Sequence, residues 1–117
     1  MLVIVRNEGS LVYGGKNLTE DLEQTFDHAI GVRRIGQSAS GEFAEISVKR
    51  SDGSEELFQL DHERKEYTVD GIVVVALVGF IRWKAEDREW RKPAVRLGFD
   101  APRSYRLVRD NAIKRTE

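Results

Sequence analysis

Val95-Arg96-Leu97-Gly98-Phe99-Asp100-Ala101-Pro102 runs directly into Arg103-Ser104-Tyr105-Arg106-Leu107-Val108-Arg109, and the fold turns on this stretch. Ala94 to Phe99 has the residue pattern of a strand, and Asp100-Ala101-Pro102 supplies turn chemistry. From Ser104 to Arg109, basic and apolar side chains alternate, which predicts a last strand. A strand pair with this many arginines is either a solvated hairpin or a surface that holds a polyanion.

Upstream, Ile72 to Trp83 is the strongest strand of the sequence, because β-branched residues dominate it. The charged run Lys84 to Lys92 then reads as a long twisted hairpin tip. Tyr67-Thr68-Val69 is a short strand before a turn at Asp70-Gly71, and Asp61 to Glu66 is a polar connector. Phe43 to Arg50 alternates, with Ala44, Ile46 and Val48 on one face. Its return, Leu57 to Leu60, follows a hairpin turn centred on Asp52-Gly53.

The N-terminal third calls for a different reading. Met1 to Arg6 is almost continuously apolar, as in a strand buried on both faces or at a subunit contact, and Leu11-Val12-Tyr13 follows the Glu8-Gly9-Ser10 turn. The two runs predict a hairpin. Asn17-Leu18-Thr19-Glu20 has the form of a capping box, and Leu18, Leu22, Phe26, Ala29 and Ile30 recur at helical spacing. That predicts a helix of three to four turns ending near Gly31, with a loop at Gln37 to Gly41. Asp110 to Arg115 predicts the start of a short C-terminal helix.

The 117 residues suit one domain with a modest core, and 40% hydrophobic with 33% charged residues is globular. Without cysteine there is no disulfide framework, which agrees with a reducing compartment. The longest apolar run, Ile72 to Ile81, is about half of a membrane span. No basic region precedes the N-terminal apolar run, unlike a signal peptide. These features predict a soluble cytoplasmic protein. The net charge of −1 conceals a division: 8 Lys/Arg and 14 Asp/Glu in residues 1–81 give −6, while 11 and 6 in residues 82–117 give +5. Screening confines charge effects to about 8–10 Å, so the local excess decides which partners are attracted.

No constellation for chemistry stands out. His28, beside Asp27, and His62, in Asp61-His62-Glu63, lack a converging third group in the sequence. Gly14-Gly15-Lys16-Asn17 lacks the upstream glycine and the hydroxyl residue of a phosphate-binding loop. Trp83 and Trp90 are read as cross-strand packing rather than base stacking. The expectation is a protein that is no enzyme and has no metal and no cofactor.

VRLGFDAPRSYRLVRDNAIKR resembles the C-terminal half of the carbon storage regulator family, small bacterial RNA-binding proteins. The shared pattern is Val95-Arg96-Leu97-Gly98, Asp100, Ala101-Pro102 and Arg109-Asp110. MLVIVRNEGSLVYGG resembles the family's opening, with Arg6, Gly9 and Gly15 in place. On this resemblance residues 1–15 and 71–113 form the regulator-like core, and 16–70 an inserted helix and hairpin, in a single domain over 1–117. The implied fold is mainly β: a five-stranded, intertwined homodimer of antiparallel strands, in which the first strand of one chain lies beside the last strand of the other.

The resemblance implies a post-transcriptional regulator that binds GGA-containing single-stranded or loop segments of mRNA or small regulatory RNA and so modulates translation or stability. Its site would use Ile4, Val5 and Arg6 with Ala101, Pro102, Arg103, Leu107, Val108 and Arg109. A protein antagonist is a further implied partner; membrane and DNA are not. The alternative is a protein-interaction module on the same scaffold with weak or lost RNA binding. Asn7, where the family is commonly basic, and the acidic insert favour that version.

Overall fold

The computed structural model describes residues 2–81 and 94–110. Nine strands and one helical turn follow in the order β1 (Leu2–Asn7), β2 (Leu11–Gly15), α1 (Leu22–Thr25), β3 (His28–Ser38), β4 (Gly41–Arg50), β5 (Glu55–Asp61), β6 (Glu66–Val69), β7 (Val73–Ile81), β8 (Ala94–Asp100) and β9 (Arg106–Arg109). They form two antiparallel sheets, a four-stranded one in the order β1-β8-β7-β6 and a five-stranded one in the order β5-β4-β3-β2-β9. The mainly-β class expected from the sequence is what is found.

One core lies between the sheets. β4 contributes Ala44, Ile46 and Val48, all at 0% exposure, and β8 contributes Val95, Leu97 and Phe99 from the opposite sheet. Alternation places every second residue of these strands inward, so the apolar period of two becomes a buried face. Phe58 of β5 stacks on Tyr67 of β6, ring centroids 4.1 Å apart, where the two sheets meet along one side. The Asp52-Gly53 turn is present, with Gly53 at φ 91°. So is Asp70-Gly71, where Ile72 N–H donates to Val69 O (2.9 Å) and both central residues have positive φ, as a two-residue hairpin turn requires.

The N-terminal hairpin does not form. The Glu8-Gly9 turn exists, but β1 pairs with β8, placing Leu2 opposite Phe99 and Arg6 opposite Val95, while β2 pairs with β3 and β9. The turn's own backbone is bonded to β3: Gly9 N–H donates to Val32 O and Val32 N–H to Ser10 O. A bulge at Val32/Arg34 bends β3 at this same point. β1 is therefore sent into the other sheet. Nor is it buried on both faces: Ile4 and Arg6 point inward, while Val3 and Val5 are exposed.

The predicted long helix is a single turn. Its N-cap is Asp21, with no side-chain cap, so the Asn17 capping box is not used. Leu18, Leu22 and Phe26 do pack, but onto the outer face of β2 and β3, against Tyr13 and Ala29. Ala29 and Ile30 belong to β3, and Gly31, read as the helix end, lies inside that strand. A lone turn costs more to nucleate than it returns, so the tertiary sheet wins over helical spacing. The loop expected at Gln37 to Gly41 shrinks to the turn at Ala39-Ser40 between β3 and β4. The insert 16–70 is thus four strands and one helical turn rather than a helix and a hairpin.

Residues 1–15 and 71–110 supply five strands, β1, β2, β7, β8 and β9, but within this chain they are divided between the two sheets. Gly98 sits inside β8 between Val3 and Ala76. The last strand begins at Arg106 rather than Ser104, after a turn closed by Tyr105 N–H to Pro102 O (2.9 Å). The charged tip 84–92, Trp83, Trp90 and the C-terminal helix lie outside the described residues. Among the described residues, no helix is long and apolar enough to cross a membrane.

Candidate nucleic-acid interface

β1 and β9 are the outermost strands on the same side of their respective sheets, and among the described residues each is hydrogen-bonded along one edge only. Their ends meet at one ion pair, in which the Arg6 Nη1 donates to Asp110 Oδ1 at 3.2 Å. The other Asp110 oxygen accepts from Leu11 N–H (3.0 Å), and Asp110 N–H donates to Leu11 O (3.1 Å). Asp110 therefore ties the end of β9 to both β1 and β2. The meeting occurs within one chain, whereas the family resemblance puts the first strand beside the last strand of a second chain.

The nine sequence-predicted residues separate into two groups. Val5, Pro102, Arg103 and Arg109 are exposed. Ile4 lies in the core, and Arg6 is 6% exposed, spent on Asp110 and on its own neighbour's carbonyl, Val5 O (2.8 Å). Burial lowers the Arg6 guanidinium below its ordinary pKa, Asp110 raises it part of the way back, and Arg109 lowers it again. Ala101 and Leu107 are half-buried against the main core, and Val108 packs against the cluster beneath the inserted helical turn. The apolar side chains of β9 are thus engaged within the chain.

No protein-family model, curated protein or solved structure matches this chain. The likeness to the carbon storage regulators stands on the residues quoted for it.

The electrostatics of the exposed group are simple. Arg96, Arg103 and Arg109 are exposed and make no ion pair with a carboxylate among the described residues, while Arg6, Arg33 and Arg50 each do. Arg106 is exposed and reaches Leu18 O at 3.4 Å. An unpaired guanidinium keeps its fork of donors for a phosphate or a guanine edge. An unpaired strand edge adds backbone donors and acceptors that can meet the base edges of a single strand.

A second polar cluster went unseen in the sequence. His28 lies in β3, not on a helix, and is 4% exposed. Its Nδ1 is 2.5 Å from the Tyr105 hydroxyl, and its Nε2 is 2.7 Å from Asp70 Oδ2. Arg50 grips the same carboxylate with two bonds, of 2.8 and 2.9 Å, and reaches Glu56 Oε1 at 2.6 Å. The Tyr67 hydroxyl donates to the second Glu56 oxygen. Arg50 and then His28 hold the Asp70 carboxyl well below the usual carboxylate range. Hydrogen bonds to Asp70 and Glu56 raise Arg50, and Glu56 is lowered by Tyr67 and then Arg50. Burial, then the charges of Asp27 and Asp70, push the Tyr105 phenol up.

His28, the Arg50/Glu56 pair, the Tyr67/Asp70 pair and Tyr105 come from four separate parts of the chain, and no spacing rule connects them. The one local sign was Asp70-Gly71, a turn that puts an acidic side chain at a fixed place. His28 does have converging groups, but they are a phenol and a carboxylate. Among the described residues, no set of three or more His, Cys, Asp or Glu side chains is arranged to hold a metal ion.

Proposed function

We propose that this protein binds single-stranded or loop segments of RNA along the edge formed by β1 and β9, and so regulates translation or stability of messenger RNA in the cytoplasm. The observation that carries this is the coincidence of two strand edges with the exposed Arg103 and Arg109, all without a pairing partner among the described residues. Among the described residues 94–110, four arginines against Asp100 and Asp110 leave an excess of +2, which supports the same surface. The resemblance supplies the target class: GGA-containing loops in messenger leaders or small regulatory RNA, bound by a homodimer. The role is occupancy of a ribosome-binding region, and it involves no bond making.

The test is a fluorescence-anisotropy titration of a hairpin with a GGA loop against one with a scrambled loop. The expected result is preference for GGA. Arg109→Ala should weaken binding and reduce the slope of log K against log salt by about 0.7, the loss of one single-strand phosphate contact. Equal affinity for both loops, with Arg109→Ala indistinguishable from the parent, would sink the reading.

A second reading is a protein-interaction module with weak RNA binding. The burial of Ile4 and Arg6 favours it, since two expected contacts are then committed to packing. Leu2, Val3 and Val5, exposed at 41–46%, would be its contact surface. Co-purification with a protein at high salt, free of nucleic-acid absorbance, would select this version.

A further inference from the structure

We infer that Tyr105 is a positioning residue through which the inserted segment sets the β9 edge for RNA. This rests on the RNA reading above and deepens it: the insert becomes part of the site's support, not a cap over it. Tyr105 immediately precedes β9, so whatever fixes this residue fixes where Arg106 to Arg109 begin. Three contacts hold it. Its N–H closes the turn onto Pro102 O (2.9 Å). Its ring lies against Gly14, where a Cβ would come within 2.4 Å of Tyr105 Cε1. Its hydroxyl reaches His28 Nδ1 at 2.5 Å.

From that hydroxyl the polar chain runs through His28, Asp70, Arg50 and Glu56 to Tyr67. Every member beyond Tyr105 belongs to residues 16–70, the segment with no counterpart in the resembled family. The chain starts at the root of β9 and is distributed over β3, β4, β5, β6 and the turn after β6. An ionised Asp70 can only accept, so the His28 Nε2 carries the proton toward it. In the neutral ring the His28 Nδ1 is then an acceptor, and the Tyr105 hydroxyl donates to it. The polarity of the chain is consistent from end to end.

Asp70 is itself well anchored. It holds a left-handed backbone at φ 52°, in a two-residue turn, and both carboxylate oxygens are bonded by Arg50. A side chain fixed at both backbone and head group can position what it touches. Phosphate contacts give affinity, whereas discrimination between base sequences needs the edge in the right place. Displacement of β9 should therefore cost discrimination before it costs charge-driven binding.

The variants are Tyr105→Phe, which keeps the ring on Gly14 and removes the hydroxyl, and Asp70→Asn, which tolerates the left-handed turn and removes the charge. In the free protein, amide hydrogen exchange at Leu107 to Arg109 is measured for the parent and both variants. With RNA, the ratio of GGA-loop to scrambled-loop affinity is measured over a salt series. We expect faster β9 exchange in both variants. We expect Tyr105→Phe to lose about tenfold in the affinity ratio, the size of one buried hydrogen bond, with an unchanged salt slope. Arg109→Ala should do the reverse and flatten the slope. Unchanged β9 exchange in both variants overturns the inference, whatever the RNA result. So does an affinity ratio equal to that of the parent. If the parent shows no preference for the GGA loop, the RNA reading falls, while the exchange data still decide whether the insert positions β9.

Discussion

The junction around Asp70 and the edge formed by β1 and β9 are both rich in charge, and they use it in opposite ways. At the junction, Arg50 has two carboxylate partners, and Asp70 has an arginine and a histidine. At the end of β9 and in the turn that leads into it, Arg109 and Arg103 stand in solvent with no carboxylate partner among the described residues. The difference teaches where to look for function in a charge-rich β protein. Charges already matched within the fold hold it together, and those left over are available to a ligand. Arg6 shows the boundary between the two, since it belongs to the edge by position and to the interior by burial.

The largest effect should come from removing the hub of the junction. His28→Ala leaves the buried Tyr105 hydroxyl without a partner and removes one contact of the partly exposed Asp70. Urea denaturation should show a loss of about 3 kcal/mol, from one buried unsatisfied group and a cavity. Asp110→Ala sharpens the comparison at its boundary. It strands the Arg6 guanidinium in a buried site, and breaking such a pair typically costs about 3–5 kcal/mol. Asp110 is itself 31% exposed, so about 2 kcal/mol is expected.

Gly14→Ala attacks the junction from the other side, through the Tyr105 ring. Overpacking there should cost about 1–3 kcal/mol and raise amide exchange in β9. A smaller effect depends on pH. The Asp70 carboxyl is depressed in the folded state, so its contribution is present above the unfolded aspartate value of about 3.9 and fades as pH falls through its folded value. The stability gap between the parent and Asp70→Asn should therefore be full at pH 6 and narrow below about pH 4 in acid-unfolding experiments. A gap that stays constant down to pH 2 would remove this carboxylate from the account. The smallest effect on stability belongs to Arg109→Ala, within about 0.5 kcal/mol, as for an unpaired surface residue.

Much of the strand content could be seen in advance, for a local reason. β4, β5 and β8 each carry their own period of two, β7 is a run rich in β-branched residues, and Asp52-Gly53 and Asp70-Gly71 mark turns by residue type. Alternation and turn chemistry are properties of neighbouring residues, so they survive in a bare sequence. Leu18, Leu22, Phe26, Ala29 and Ile30 misled because a helical spacing also fits a turn followed by a strand, when both bury side chains on one sheet. The partner of β1 could not be read, since nothing in Leu2 to Asn7 distinguishes β8 from β2. At the site, Arg109 was placed correctly at an exposed strand end. Arg6 was expected to be available, and its counter-charge lies at the opposite end of the chain. The junction had no signature because its members converge only once both sheets and the turns between them are in place.

The pairing of β1 with β8 has a kinetic side. Leu2 is matched to Phe99, so β1, once synthesised, waits for β8. At ribosomal rates of about 5–20 residues per second, that wait is about 5–20 s. The segment 16–70 carries β3, β4 and β5, which pair with close neighbours in sequence and need no such delay. Local hairpins form in microseconds once both strands exist. The inserted meander is thus available as a template before the C-terminal strands appear, and β8 and β9 arrive to close a structure already half assembled.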